Sequence, residues 1–287
     1  MTEKEIIVNG LDEAWAREIV TLCQDFSGQC GLVILDPNSG DSLAINPRQP
    51  FLAASIIKLT ILYHYGLLVQ SRRLDPKQRV ALTEEQKVPG FGVLRDMEPG
   101  LQPAIKDLVT LMIILSDNTA TNMLIDLLGI EAMNETIDFL GLSDTRLRRK
   151  MFDWEAQEKG VENMITAQDT ADLLLSLWNG DHLQPDIRAQ LLAIMNLQRY
   201  RNKLPFLTAD PERWANKTGD LDDYDHDVGY LLRDDSAVIV AFFSGGCTRR
   251  ERVQLANEIG RLVDSKDWSN RARLDQSKGG EVETWTN

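Results

Sequence analysis

The chain has 287 residues, 43% of them hydrophobic, enough for one large core or two intimately packed lobes. Its 44 acidic against 31 basic side chains leave a formal net charge of −13 with no basic stripe, which argues against a nucleic-acid partner. Three scattered histidines, three cysteines without metal-ligand spacing and the absence of a G-x-x-x-x-G-K-[ST] string leave no metal site and no nucleotide loop, so no cofactor is expected.

In chain order, residues 1–15 lack a basic start followed by an apolar run, and no stretch reads as a membrane span. The expectation is a cytoplasmic protein as written, and a periplasmic or secreted one if a leader has been removed. Trp15, Ile19, Leu22 and Phe26 recur at helical spacing and predict an amphipathic helix. Cys23 and Cys30 could pair only if the turn at Gly28 brought them together; with Cys247 they are expected as free thiols. The runs 31–35 and 42–45 bracket Asp-Pro-Asn-Ser-Gly-Asp, a hairpin signal.

From about 52 to 197 the pattern is almost all helical. Residues 55–68 read as a buried helix, and Leu108, Leu111, Met112 and Leu115 make one stripe. Thr166 with Asp169 forms a capping pair before Leu173, Leu174 and Leu177, and Pro185 suits a first helical turn. Residues 213–219 read as a strand leading into a hairpin, strand character continues at 228–232 and 237–243, and a last helix carries Leu255, Ile259 and Leu262 on one face. An α/β lobe built from 1–48 and 198–265 therefore carries an inserted all-helical lobe, 49–197. Residues 266–287 form a polar tail that Trp268 and Trp285 could dock. The site is expected where the lobes meet.

Three strings carry chemistry: Ser55-Ile-Ile-Lys58, Ser116-Asp117-Asn118 and Lys217-Thr218-Gly219. A serine hydroxyl is a poor nucleophile and needs an adjacent base. On a helix Ser55 and Lys58 share one face, and burial lowers a lysine's pKa, so Lys58 can take the Ser55 proton. Ser116 supplies a second hydroxyl to relay a proton to a leaving group, and Asn118 an amide to orient substrate. The same triplet also reads as an ordinary helix cap. Lys217 and Thr218 suit a substrate carboxylate, and Gly219 permits close backbone approach. The N–H groups of Ser55 and Asp220 make an oxyanion hole. His64 reads as a packed histidine, His182 as a surface one, and His226 as a residue at the pocket rim.

These are the S-x-x-K, S-D-N and K-T-G strings, and over 31–263 the chain resembles the class A β-lactamases and their kin among penicillin-binding DD-peptidases. The flanks FLAASIIKL, LSDNTATNML and ANKTGDL, and His226-Asp227, match as well. The resemblance implies a β-lactamase/transpeptidase-like α+β fold, an antiparallel sheet flanked by helices plus a helical lobe. It implies Ser55 as acylated nucleophile, Lys58 as its base, Ser116 as relay, Asn118 as amide binder and Lys217 and Thr218 as carboxylate binders. The substrate would be a small β-lactam or an acyl peptide or ester, handled by a monomer. One departure stands out: the E-x-x-L-N string that carries the deacylating glutamate is absent. Over 145–167, one alignment puts Met151 or Phe152 near that position; Asp153 and Glu155 are the carboxylates at hand. A peptidase or esterase with slow β-lactam turnover, or a protein that stays acylated, is the alternative.

Overall fold

The strand-like runs at the two ends of the chain come together in one sheet. The computed structural model describes residues 4–234 and 236–268. The N-terminal part gives β1 (Ile6–Asn9), α1 (Glu13–Asp25), β2 (Gln29–Leu35), β3 (Ser42–Ile45) and β4 (Phe51–Leu52). Helices dominate the middle: α2 (Lys58–Gln70), α3 (Ile105–Ile114), α4 (Asn118–Leu128), α5 (Ile130–Phe139) and α6 (Trp154–Glu158). After β5 (Met164–Ile165) come α7 (Ala167–Asn179) and α8 (Pro185–Asn196). The chain closes with β6 (Trp214–Leu221), β7 (Tyr224–Arg233), β8 (Ser236–Gly245) and α9 (Arg249–Ser265).

The main sheet is six-stranded and antiparallel in the order β1-β3-β2-β8-β7-β6. Successive strand residues point to opposite faces, and here both faces are covered. Val238, Val240 and Phe242 join Ile19 of α1 and Leu255 and Ile259 of α9 in one core cluster. Ile239, Ala241 and Phe243 join Leu62 of α2 and Leu174 of α7 in the other. A strand packed on both sides has no solvent-facing position, which is why 237–243 reads as an unbroken apolar run. The expected α/β character, N-terminal helix, hairpin and final helix are all present.

The differences have local reasons. Strand β1 pairs with β3, Ile6 opposite Ile45, but four residues at a sheet edge are too few for a periodic signal. The mainly helical stretch is interrupted by the β4–β5 pair, two residues each, with Phe51 opposite Ile165. The helix expected from Ser55 begins instead as a 3-10 turn, Ala54–Ile57, and becomes α-helical at Lys58. Thr166 caps α7 as expected, accepting from Asp169 N at 3.1 Å. The Asp169 carboxylate does not return the bond; it accepts from Asp144 N and Thr145 Oγ1, both at 2.8 Å, and ties down the chain entering 145–166.

Cys23 and Cys30 are buried free thiols with their sulfurs 3.7 Å apart. Trp268 docks edge-on to Trp15 and donates to Val263 O at 2.9 Å, whereas Trp285 lies outside the described residues. Among the described residues no helix is long and apolar enough to cross a membrane.

Candidate active site

The three strings converge. After β4 the backbone turns sharply, with Ala54 in the left-handed region at φ 45°. The 3-10 turn follows, and Lys58 N–H bonds back to Ser55 O and Ile56 O. Side chains at i and i+3 eclipse in such a turn, so Ser55 and Lys58 share one side of it. Lys58 is completely buried. Its Nζ donates to Ser116 O and Asn118 Oδ1, both at 2.8 Å, and to Ser116 Oγ at 3.1 Å. Three acceptors satisfy an ammonium that burial would otherwise penalise.

Ser116 sits between α3 and α4 with φ 53°, a second left-handed residue without a glycine. Asp117 is the α4 cap, accepting from Ala120 N at 2.8 Å through Oδ1. Its Oδ2 accepts from Val93 N at 2.7 Å and Leu94 N at 2.9 Å. The triplet thus caps α4 through Asp117 and, at the same time, holds Lys58 through Ser116 and Asn118. Asp117 anchors the helix and the 89–94 loop, which aims the flanking Ser116 and Asn118 at Lys58. Only glycine fits at Gly92: at φ +113° an added Cβ would stand 2.2 Å from Asp117 Cγ. Of the six non-glycine left-handed residues among those described, Ala54, Ser116 and Phe152 belong to this region. Each such conformation costs about 1–3 kcal/mol and persists only where its surroundings enforce it.

Strand β6 supplies the third string. Lys217 is fully buried and donates to Ser116 Oγ at 3.0 Å and to Thr218 O at 2.7 Å. The Ser116 hydroxyl is therefore shared by two lysines. Gly219 permits close approach as expected, and the observed neighbour is the Ser55 turn: a Cβ there would lie 3.1 Å from Ile56 Cγ1 and 3.2 Å from Ala54 Cβ. Behind the strand runs an ion network with no motif in the sequence. Lys203 meets Asp220 at 3.1 Å and Asp225 at 3.3 Å, Arg249 meets Asp220 at 2.8 Å, and Arg252 meets Asp225 at 2.8 Å.

Burial dominates the electrostatics. Desolvation pushes Lys58 well below the usual lysine range, and the nearby Lys217 charge adds to it. Desolvation also brings Lys217 down to about 7, against the pull of Asp220. Asp227 is raised to about 7 by burial, partly offset by Asn216 Nδ2 donating at 2.7 Å. His226 is not at the pocket rim. It is completely buried, with Nε2 bonded to Leu52 O at 3.0 Å, and Ser244 N donates to its Nδ1 at 3.3 Å. Burial lowers its pKa to about 3, so it is a neutral brace between β4 and β8. His64 is packed and His182 exposed, as expected.

A pocket of about 410 Å³ opens over Ser55, with Asn118 and Asp220 also in its lining; Lys58, Ser116, Lys217 and Thr218 are buried. Its apolar wall is Phe91, Met151, Phe152, Trp154 and Leu221. Asn122 clamps the Met151 backbone on both sides, Oδ1 accepting from Met151 N and Nδ2 donating to Met151 O, each at 2.9 Å. Asn163 accepts from Arg148 N at 2.7 Å and Arg149 N at 3.1 Å, and Arg149 pairs with Glu162 at 2.6 Å. Neither expected carboxylate lines the pocket. Asp153 caps α6, accepting from Ala156 N at 3.0 Å, and Glu155 pairs on the surface with Lys159 at 2.6 Å. Sequence reasoning missed Asn122, Arg149, Glu162 and Asn163. The first lies one helical turn after Asn118, which is the signal that could have found it.

A family model described as the β-lactamase enzyme family matches residues 14–265. The chain is 22% identical over 272 residues to the β-lactamase regulatory protein BlaB of Streptomyces cacaoi, covering 79% of this chain and 87% of that one. Among solved structures, a β-lactamase from Sphaerobacter thermophilus superposes with a TM-score of 0.80 at 29% identity, over 88% of this chain and 96% of that one. The L158E mutant of PBP-A, an acyl-enzyme complex with penicillin G, gives a TM-score of 0.78 at 28% identity, over 87% and 94%.

Proposed function

Because the chain belongs to the β-lactamase enzyme family, we propose that it is a serine hydrolase that opens a β-lactam amide through a covalent adduct on Ser55. The observation that carries this is the Ser116 hydroxyl bridged between two buried lysines, Lys58 and Lys217, behind a pocket that exposes Ser55. Deprotonated, Lys58 Nζ keeps two donors and gains a lone pair for the Ser55 proton. Ser55 Oγ then adds to the carbonyl carbon, and the N–H groups of Ser55 and Asp220 receive the developing oxyanion. As the carbon–nitrogen bond breaks, Ser116 gives its proton to the leaving nitrogen and takes from Lys58 the proton that Lys58 received from Ser55. Lys217 and Thr218 hold the substrate carboxylate, and Asn118 orients the acyl amide. Water finally attacks the ester, releasing acid and free Ser55.

The pocket wall favours a slow last step. Of the side chains lining it, Glu162 is tied to Arg149, Asp220 is tied to Lys203 and Arg249, and Met151 stands in the loop facing Ser55. The third carboxylate in the lining, Asp222, is exposed at the β6–β7 turn rather than on the Met151 loop, so acylation outruns release. The regulatory relative and the penicillin-binding one are consistent with a long-lived adduct. The test is a time course of intact mass after mixing with benzylpenicillin. Rapid gain of the penicillin mass with slow loss supports this reading. Rapid loss with accumulating penicilloate indicates an efficient β-lactamase with another base. Absence of any adduct and an intact drug would refute acylation by β-lactams.

A further inference from the structure

A second cavity, of about 520 Å³, opens between the latter half of α2 and the α4–α5 corner. None of its lining residues borders the Ser55 pocket, so it is a separate site. Its size lies within the range of small-molecule pockets, roughly 300–1,000 Å³. Leu67, Leu68, Leu74, Leu127 and Leu128 give it an apolar side, set among polar residues such as Ser71 and Gln78. His64 lines it too, only 5% exposed, with Nδ1 2.7 Å from Thr136 Oγ1. The other ring nitrogen, Nε2, is buried without a hydrogen-bond partner. A buried polar atom left without a partner calls for a ligand atom or an ordered water.

Two exposed charged residues, Arg73 and Glu135, also line the cavity. Arg73 is the one whose charge reaches His64, where it opposes protonation of the ring. The deep end of the cavity therefore feels a positive charge, and an anionic head group is favoured there over a cationic one.

We propose that this cavity binds a small aliphatic carboxylate, its chain against the leucines, its head group at Arg73 and one oxygen, directly or through a water, at His64 Nε2. Calorimetric titration with decanoate tests it, in the presence and absence of excess benzylpenicillin. The expected result is one saturable site per chain with Kd below about 1 mM, unchanged by the drug. Shortening the probe to octanoate removes two buried methylenes and should weaken binding about tenfold. Arg73→Gln should weaken it several-fold and Glu135→Gln strengthen it, since the two charges act with opposite sign. Leu127→Glu, at a wall position already 38% exposed, should remove it without disturbing the fold. Failure to saturate by about 5 mM would mean that water alone satisfies His64 and would overturn the site. Competition by benzylpenicillin, or equal binding by all three variants, would place decanoate elsewhere and overturn it too.

Discussion

Two sides of the Ser55 pocket are built by different means. On one, Lys58, Ser116, Asn118 and Lys217 are buried and joined by side-chain hydrogen bonds of 2.8–3.1 Å. On the other, the 145–166 loop presents Met151, Phe152 and Trp154, held by contacts to its backbone: Asn122 on Met151 and Asn163 on Arg148 and Arg149. On the first side, changing a residue changes the chemistry. On the second, the clamps hold the main chain and leave the presented side chains free to vary. Acyl transfer should therefore be robust to loop substitutions, and acyl release should not.

The largest effect that sharpens this contrast is loss of the nucleophile. Ser55→Ala should abolish the benzylpenicillin adduct in intact-mass spectra, and an adduct of unchanged yield would dissolve the distinction. Next, Met151→Glu places a carboxylate on the clamped backbone facing Ser55. It should speed adduct loss by about 100-fold, within the usual reach of a general base, while the rate of adduct formation stays nearly unchanged. A slowed acylation with unaltered release would show that the two sides are not separable.

The helices, hairpin and buried cluster were legible because each rests on a residue type that the chemistry or the period demands. Ser55, Lys58 and Ser116 are three such residues. The loop side was not. Asp153 and Glu155 looked like candidates only as carboxylates near the right place, and the structure spends one on capping α6 and the other on a surface pair with Lys159. His226 was misplaced for a related reason. Sequence proximity to Lys217 put it near the site, but strand alternation and the covering β4 bury it, with its ring bonded to Leu52 O and Ser244 N. Lys203, Asp225 and Arg252 form a buried ion network whose members are spread over 203–252 without a pattern, so only the tertiary fold reveals it.

A smaller effect comes from pH. Lys217 loses its charge as pH rises through about 7, so kcat/KM for a carboxylate-bearing β-lactam should fall above that value, about tenfold per unit at the limit. A neutral ester should not show the same fall, and parallel profiles would remove Lys217 from carboxylate binding. The same shift has a stability sign. The unfolded lysine stays protonated up to its ordinary pKa of 10.5, so between about 7 and 10.5 the unfolded state binds more protons and this group makes stability rise with pH. The smallest effect is structural. Asn122→Ala strips both backbone partners from Met151 and should destabilise the fold by about 1–3 kcal/mol in denaturant titration. A variant as stable as the parent would show that the loop holds its course without that clamp.

The pairing of β2 has a consequence for how the molecule comes to exist. One neighbour of β2 is β3, reached through a short turn; the other is β8, with Leu32 opposite Phe242. Closing that contact gathers most of the chain before any of it is rewarded, and folding slows as such distant pairings accumulate. During synthesis the helices of the middle can form early, but the early strands wait with one flank open until β8 arrives. That flank is a row of unpaired backbone groups, the kind that seeks other chains. For this protein the vulnerable interval is the time between making β3 and making β8, and conditions that lengthen it should favour aggregation over the native sheet.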